Sequence, residues 1–507
     1  MTLAALIERL GPLVVASHGT DAAALARPVR SVTYDSRRVT PGAVFVALRG
    51  LTADGNAFAA QAVGRGAIAV VSDSAPRDDA PAPWIRVADA RAALAVVADA
   101  YFGQPSRQMT VVGVTGTNGK TTTAYLVSEI FQHAGTKCGL AGTIVYRVGD
   151  EERPAHRTTP EASDMQQLLR EMVDRGCGAC VMEVSSHALA LKRVDGIRFA
   201  AAVFTNLTRD HLDFHGDMES YFASKRRLFE MLPADGVAIV NVDDPRGRSL
   251  VGVNERVVTY GIDRAADVTP GPLSFSLAGL RFEARTPRGP IAVRSRLVGR
   301  PNVYNILAAA ATAVAFDMPV GSIERAFEAL EGVPGRFEIV SGGADDITVV
   351  VDYAHTDDAL KNLLETARPL APRRLITVFG CGGDRDRSKR PLMGAVVARL
   401  SDVVIVTSDN PRSEDPQRIV EDIMRGIQPA AGRSGGGAPS HLKIVDRRQA
   451  IERAIRIAEP GDMVLLAGKG HERTQVIGER VLPFDDAAVA REALDERRER
   501  QRGRGAH

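Results

Sequence analysis

"VVGVTGTNGKTTTAYLVSEIF" (residues 111–131) decides the reading of this chain. An apolar run meets a glycine-rich turn, and Lys120 and Thr121 then open a helical pattern that closes at Gly135. Glycines let backbone N–H groups approach an anion closely, and a helix start favours negative charge. Gly116, Thr117, Asn118 and Gly119 therefore form a candidate phosphate cradle. Lys120 can reach the β- and γ-phosphates, and the Thr121 hydroxyl can bind Mg²⁺. A strict P-loop would begin with glycine at position 114, which here is Val114, while glycines stand at 113 and 116. The loop is thus a variant. No NKxD motif for guanine follows it. The loop alone leaves open whether the nucleotide drives ligation, regulation or movement.

Bulk properties set the frame. The chain has 507 residues, enough for about three domains. Lys+Arg 64 against Asp+Glu 62 gives a net charge of +2, which offers no argument for a nucleic-acid or membrane partner. No apolar run approaches the length of a membrane span. "MTLAALIERLGPLVV" at the start reads as a short amphipathic helix and not as a signal peptide. Four cysteines make no disulfide framework in a chain this long, which points to a reducing cytoplasm. Cys177 and Cys180 form one CxxC without further ligands in sight, so they read as buried small hydrophobes.

Outward from the loop, the fold reads as α/β. Residues 1–107 hold short apolar runs such as "GAVFVAL", with "FGQPSRQ" (102–108) as a linker. Residues 108–335 alternate strands ("MTVVGVTG", "ACVMEVSS", "AAVFTNLT", "GVAIVNVDD") with helical patterns, which argues a mostly parallel sheet. Residues 336–507 repeat that alternation in "DITVVVDYAH", "RRLITVFGCGGDRD", "SDVVIVTSDNPR" and "GDMVLLAGKGHE". "AAGRSGGGAPSH" (430–441) reads as a surface loop and "DERRERQRGRGAH" (495–507) as a solvated tail.

Ligands gather at the carboxyl ends of parallel strands, which singles out Ser185, Asn206 and Asp244. Glu183 lies inside an apolar run, where a carboxylate needs a metal or a cation. "FTNLTRDHLDFHG" crowds Asn206, Asp210, His211, Asp213 and His215 together. Lys225 in "YFASKRRLF" would by itself be a snorkelling surface lysine. Asn302 in "GRPNVYNILAA" suits a helix N-cap, whereas Asn305 does not. Arg336 falls at a domain junction, and Asp352 ends a strand, where a carboxylate suits a ribose hydroxyl or a metal-bound water.

Taken together, "GTNGKTT", "MEVSSH", "NLTRDHLDFHG", "YFASKRRLF", "NVYNILAA" and "DYAHT", in that order, make the chain resemble the Mur ligase family along essentially its whole length. "DSRRVTPGAVFVAL" and "SDNPRSEDP" resemble members that add the third residue of the peptidoglycan stem peptide. The resemblance implies a UDP-substrate-binding domain, a central ATPase domain and a Rossmann-like amino-acid-binding domain. It implies ATP-dependent amide formation through an acyl phosphate, with Mg²⁺, in the cytoplasm and by a monomer. Lys120, Thr121 and Thr122 match phosphate and metal positions. Glu183, His211 and Lys225 (as a carbamate) match a second metal site. Asn305, Arg336 and Asp352 match positions around ATP. Thr158, Thr159, Ser185 and Arg193 match contacts to the muramoyl dipeptide, and Tyr34 and Ser36 match the uridine end. Leu191 and Asp357 depart from the pattern, standing where a polar residue and a proline are usual.

The implied substrates are UDP-MurNAc-L-Ala-D-Glu and meso-diaminopimelate. "DNPR" (Asp409, Asn410, Pro411, Arg412) resembles the signature of diaminopimelate-adding members. A guanidinium at Arg412 can hold the distal carboxylate in a bidentate pair, and lysine lacks that carboxylate. Arg385, Gly468 and Glu472 would take the other end. An L-lysine-adding ligase and a folylpolyglutamate-synthase-like ligase are the alternatives. The "DSRRV" region ahead of the loop argues against the latter.

Overall fold

Thr110–Thr115 is a strand, buried at every position but the first. An apolar run without polar alternation suits a strand covered on both faces. In the computed structural model, which describes residues 1–50, 53–76, 82–371, 373–430 and 440–505, this strand lies inside an eight-stranded sheet. The order is Val257–Tyr260, Val237–Asn241, Ala201–Phe204, Thr110–Thr115, Ala179–Glu183, Cys138–Ala141, Val145–Val148, Glu151–Pro154. The first six pair in parallel, and the last two add antiparallel. Thr110–Thr115 is therefore flanked by Ala179–Glu183 and Ala201–Phe204. The segments that follow these three strands gather at one edge of the sheet, where α/β folds hold ligands.

Helix Lys120–His133 buries Ala124, Leu126, Val127, Ile130 and Phe131 against Val112 and Val114 of the sheet and Ile306, Leu307 and Ala310 of helix Arg300–Ala315. Each large apolar side chain so buried contributes about 1.5–3 kcal/mol. That packing fixes the helix start beneath the loop.

The other two domains are also α/β. The N-terminal sheet runs Val14–His18, Trp84–Val87, Ala69–Ser72, Ala43–Ala47, Ser31–Thr33, parallel except at its first pair. Helix Leu3–Leu10 packs on it through Leu3, Leu6 and Leu10. The C-terminal sheet runs Glu338–Ile339, Thr348–Asp352, Met463–Ala467, Leu375–Phe379, Val403–Val406, Ser440–Lys443, with an antiparallel first pair. Its central four strands are the four apolar runs read from the sequence. Among the described residues no helix is long and apolar enough to cross a membrane. All four cysteines are buried and free.

Several local readings change. A small antiparallel sheet, Thr269–Pro270, Ser274–Ser276, Gly279–Arg285 and Ile291–Ser295, interrupts the parallel alternation. The last two strands alternate buried and exposed residues, a period-two signal that the parallel reading passed over. The 102–108 linker is in part a packed 3₁₀ turn, with Pro105 and Ser106 buried. Asn302 is no N-cap. Gly299 holds that position, and Asn302 sits in the first turn, donating to the Val298 carbonyl at 2.8 Å. The charged tail is docked through Arg497, which pairs with Asp346 at 2.7 Å and donates to the carbonyls of Ile455 and Ala458. Of the 430–441 loop, residues 431–439 lie outside the described residues, while Ser440 and His441 begin the edge strand.

One buried ion pair supports the C-terminal edge from behind. Arg447 and Asp486 are both 0% exposed and bidentate at 2.8 and 2.5 Å, and Arg447 also donates to the carbonyls of Ala467 and Ser408. Removing one partner strands the other charge. Arg447→Met is expected to cost about 3–5 kcal/mol in chemical denaturation, a large share of the roughly 5–15 kcal/mol of a typical domain.

Candidate active site

The glycine-rich loop explains its own composition. Gly116 has φ 145°, and a Cβ there would lie 1.8 Å from Thr205 Oγ1. Gly119 has φ 85°, and a Cβ there would lie 2.3 Å from Asn305 Oδ1. Neither position can carry a side chain. Asn206 holds the loop from the neighbouring strand end, its carbonyl accepting from Thr117 N–H and its Oδ1 from Asn118 N–H, both at 2.9 Å. The helix that starts at Lys120 has no side-chain cap, so its first N–H groups remain available to an anion. Gly116→Ala is expected to weaken ATP binding by roughly 100-fold in calorimetry, because the added methyl group must move the Thr205 strand end or the loop.

Two lysines meet under this loop. Lys120 Nζ donates to the carbonyls of Gly116 and Thr117 at 3.0 and 2.8 Å, and Lys225 Nζ donates to the Gly116 carbonyl at 2.7 Å. Lys225 is 1% exposed and lies over the Tyr221 ring at 4.6 Å. Burial pushes the pKa of both lysines down, and for Lys225 the neighbouring Lys120 pushes it further, well below the usual range. No carboxylate pairs with either lysine among the described residues. Lys225 is thus a buried amine and not the surface lysine its local sequence suggests.

Glu183 joins the loop to a second group of side chains. It is 1% exposed and accepts from Thr121 Oγ1 at 3.0 Å and from Thr143 N–H and Oγ1 at 2.7 and 3.1 Å. Its own backbone carbonyl accepts from Thr159 Oγ1 at 2.8 Å. Thr158 bonds Thr143 at 3.1 Å, and Ser185 N–H donates to Thr159 at 3.2 Å. Arg193 donates to the Thr159 carbonyl at 3.2 Å and pairs with Glu161 at 2.8 Å. Thr158, Thr159, Ser185 and Arg193 are therefore contiguous with the loop. Tyr34 and Ser36 sit farther out, Tyr34 donating to Asp164 at 3.0 Å and Ser36 to Gln61 at 2.9 Å. Leu191 caps the short helix Ser186–Ala190 through its backbone alone.

Thr121 Oγ1 and the Glu183 carboxylate form a pair of hard oxygen donors at the phosphate end, which fits Mg²⁺. His211 makes no hydrogen bond to that pair among the described residues. It lies 3.4 Å from Asp210, its ring 4.8 Å from His187, and burial lowers its pKa to about 3. It is therefore a neutral imidazole. No group of three or more His, Cys, Asp or Glu suited to a metal ion occurs among the described residues.

Residues from the C-terminal domain reach the loop. Arg336 donates to Thr121 Oγ1 at 3.2 Å and stacks 4.6 Å from the Tyr353 ring. Asp352 accepts from Phe337 N–H and Ala354 N–H, each at 2.7 Å, which ties the Arg336 segment to its strand end. Asn305 Oδ1 faces the loop while its amide donates to Asn302 at 2.9 Å. Asp358 accepts from Asn118 at 3.1 Å, and Lys389 pairs with the buried Asp210. Asp357, where proline is usual, begins helix Asp357–Ala367, a position that favours an acid as well as a proline.

The "DNPR" and "AGKGHE" segments come together at the same edge. Asn410 donates to Glu472 at 2.8 Å, and Gly468 packs against the Asp409 carboxylate. Arg412 follows Pro411 with φ 50° and donates to the Gly383 carbonyl at 2.6 Å. A Cβ on Gly382 would lie 3.0 Å from Arg412 Nη1 and 3.9 Å from Arg385 Cγ, so the two arginines flank one glycine.

Comparison with known proteins decides the family. The Mur ligase middle domain matches residues 114–313, the Mur ligase glutamate ligase domain residues 335–470, and the Mur ligase family catalytic domain residues 28–102. The chain belongs to the Mur ligase family. Among Mur ligases, the UDP-N-acetylmuramoyl-L-alanyl-D-glutamate--2,6-diaminopimelate ligase of Solibacter usitatus (strain Ellin6076) is 49% identical, covering 92% of this chain and 93% of its own. A solved structure of a UDP-N-acetylmuramoyl-L-alanyl-D-glutamate--2,6-diaminopimelate ligase has a TM-score of 0.68 at 33% identity, covering 98% of this chain and 99% of its own. The Thermotoga maritima MurF ligase in complex with ADP, 18% identical with a TM-score of 0.63 and covering 95% of this chain and 100% of its own, shares the fold.

Three side chains of this Mur ligase were not singled out from its sequence. Lys469 sits between glycines, without periodicity to show its burial. Asp358 and Lys389 act through contacts to Asn118 and Asp210, 240 and 179 positions away, which spacing cannot show.

Proposed function

We infer that this protein is an ATP-dependent amide ligase that joins meso-diaminopimelate to the γ-carboxylate of the D-Glu in UDP-MurNAc-L-Ala-D-Glu, in the cytoplasm. The observation that carries this reading is Glu183. The phosphate loop (through Thr121) and the Thr158–Thr159–Ser185–Arg193 group (through Thr159) both bond to it, so a phosphate donor and a carboxylate acceptor share one seat. The names of relatives at 49% identity and below agree, as does the ADP in the structure of the Thermotoga maritima protein.

A carboxylate is a poor electrophile at neutral pH. In the first step its oxygen bonds to the γ-phosphorus, the bond from that phosphorus to the β,γ-bridging oxygen breaks, and ADP leaves. In the second, the amine nitrogen bonds to the acyl carbon, loses a proton, and phosphate leaves. Both steps bring anions together, so positive charge placed beforehand carries most of the catalysis. Lys120 and the uncapped helix start hold the phosphates. Arg193 orients the dipeptide carboxylates. Arg336 closes over Thr121. Thr121 and Glu183 would hold Mg²⁺, which neutralises charge between phosphate and carboxylate. Lys225 is buried with its charged form disfavoured; as a free amine it would capture CO₂, and its carbamate would add a further anionic ligand with His211 nearby.

Oxygen tracing tests the mechanism. With the γ-carboxylate of D-Glu labelled with ¹⁸O, one label must appear in the released phosphate for each amide formed. Label lost to water, with none in the released phosphate, would exclude the acyl phosphate.

A further inference from the structure

Lys469 lies between Gly468 and Gly470 and is 0% exposed, so it cannot touch a substrate. Its ammonium donates to Thr474 O at 2.6 Å, Glu472 Oε2 at 3.2 Å and Asn410 Oδ1 at 3.3 Å. Those three bonds use all three of its protons. Asn410 Oδ1 also accepts from Val476 N–H at 3.0 Å, and its amide donates to Glu472 Oε2 at 2.8 Å. With two donors on its oxygen, Asn410 can lie only one way round. Glu472 Oε2 is likewise held by two donors. Glu472 Oε1 accepts nothing from the described residues, and the Glu472 side chain remains 32% exposed.

We propose that Lys469 is a positioning residue of the amino-acid site, which locks Asn410 and Glu472 so that Glu472 Oε1 meets the ammonium of the incoming diamino acid. The proposal rests on the reading of this edge as the amino-acid site. A buried charge is costly, and an apolar side chain would fill the space at less cost if packing were its task. What an apolar side chain cannot do is orient the amide and keep one carboxylate oxygen occupied while freeing the other. Holding the anchor in place before binding reduces the ordering that binding itself must supply.

The test is steady-state kinetics of the full-length protein with ATP, Mg²⁺ and UDP-MurNAc-L-Ala-D-Glu, varying meso-diaminopimelate. Lys469→Met is expected to raise KM for diaminopimelate about 10-fold or more, with KM for ATP unchanged. Glu472→Gln alone is expected to do the same. In the double variant the two effects do not add, because Lys469 acts through Glu472. If Lys469→Met does not fold, Lys469→Arg carries the test, since it keeps the charge but cannot present three donors from one nitrogen. It should raise KM for diaminopimelate alone. Additive effects, equal losses for ATP and diaminopimelate, or an unchanged KM beside a lowered Tm would overturn the proposal. A wild-type protein that uses L-lysine and not diaminopimelate would sink the substrate reading without touching this one. The same KM comparison would then be made with L-lysine, which presents the same α-ammonium.

Discussion

Lys225→Met loses about 10²–10³-fold in kcat and keeps or raises its Tm. The first half follows from position. The Lys225 amine bonds to the Gly116 carbonyl, inside the loop that, in the function proposed above, holds the ATP phosphates. Removing one preplaced electrostatic group from such a site costs on that order. The second half follows from burial. The side chain is 1% exposed with one hydrogen bond, and burial and Lys120 both disfavour its charged form. A methionine of similar length removes that cost while filling the volume. Activity and stability should therefore move in opposite directions, measured by phosphate release and by thermal unfolding. Intact-protein mass of the wild type, with and without bicarbonate, reports whether one CO₂ is bound at this amine. A variant that loses stability and keeps kcat would assign Lys225 to packing.

Arg412→Gly raises KM for diaminopimelate by roughly 10- to 100-fold and leaves KM for ATP unchanged. A hydrogen bond to a charged group is worth about 1.5–3 kcal/mol, and about 1.4 kcal/mol is tenfold. Glycine is the informative substitution because residue 412 has φ 50°, a left-handed conformation that glycine adopts freely. The turn after Pro411 is thus kept while the guanidinium is lost. The preference for diaminopimelate over L-lysine should narrow in the same variant, since the contact proposed for Arg412 is one that lysine cannot make. Arg412→Lys should recover little, because one ammonium does not reproduce the planar fork. An unchanged preference in Arg412→Gly would move the specificity determinant elsewhere, with Arg385 across Gly382 the next residue to examine.

Much of this site was legible in the sequence, for reasons that differ by residue. The loop announced itself through glycines whose missing side chains the structure explains at Gly116 and Gly119. Glu183 was legible because a carboxylate in an apolar run stands out, but where a metal or cation was expected the described residues supply the hydroxyls of Thr121 and Thr143 and the Thr143 N–H. Lys225 needed the family resemblance, yet a local signal existed. Helix Met218–Glu230 buries Tyr221, Phe222, Lys225, Leu228 and Phe229, so the lysine falls on the apolar face at helical spacing. Asn305 shows the same pattern beside Asn302, Val303 and Ile306. Arg447 and Asp486, 39 positions apart, had no such signal. The small antiparallel sheet was missed because strand–helix alternation on both sides of it set the expectation.

The most direct measurement is phosphate release by the purified protein with ATP, Mg²⁺ and UDP-MurNAc-L-Ala-D-Glu, with meso-diaminopimelate or L-lysine added in parallel. Release with diaminopimelate and little with lysine is the expected result, and it would join the loop, Glu183 and Arg412 in one reaction. Release with lysine alone would contradict the role given to Arg412, and release with neither, from folded protein that binds ATP, would contradict the ligase.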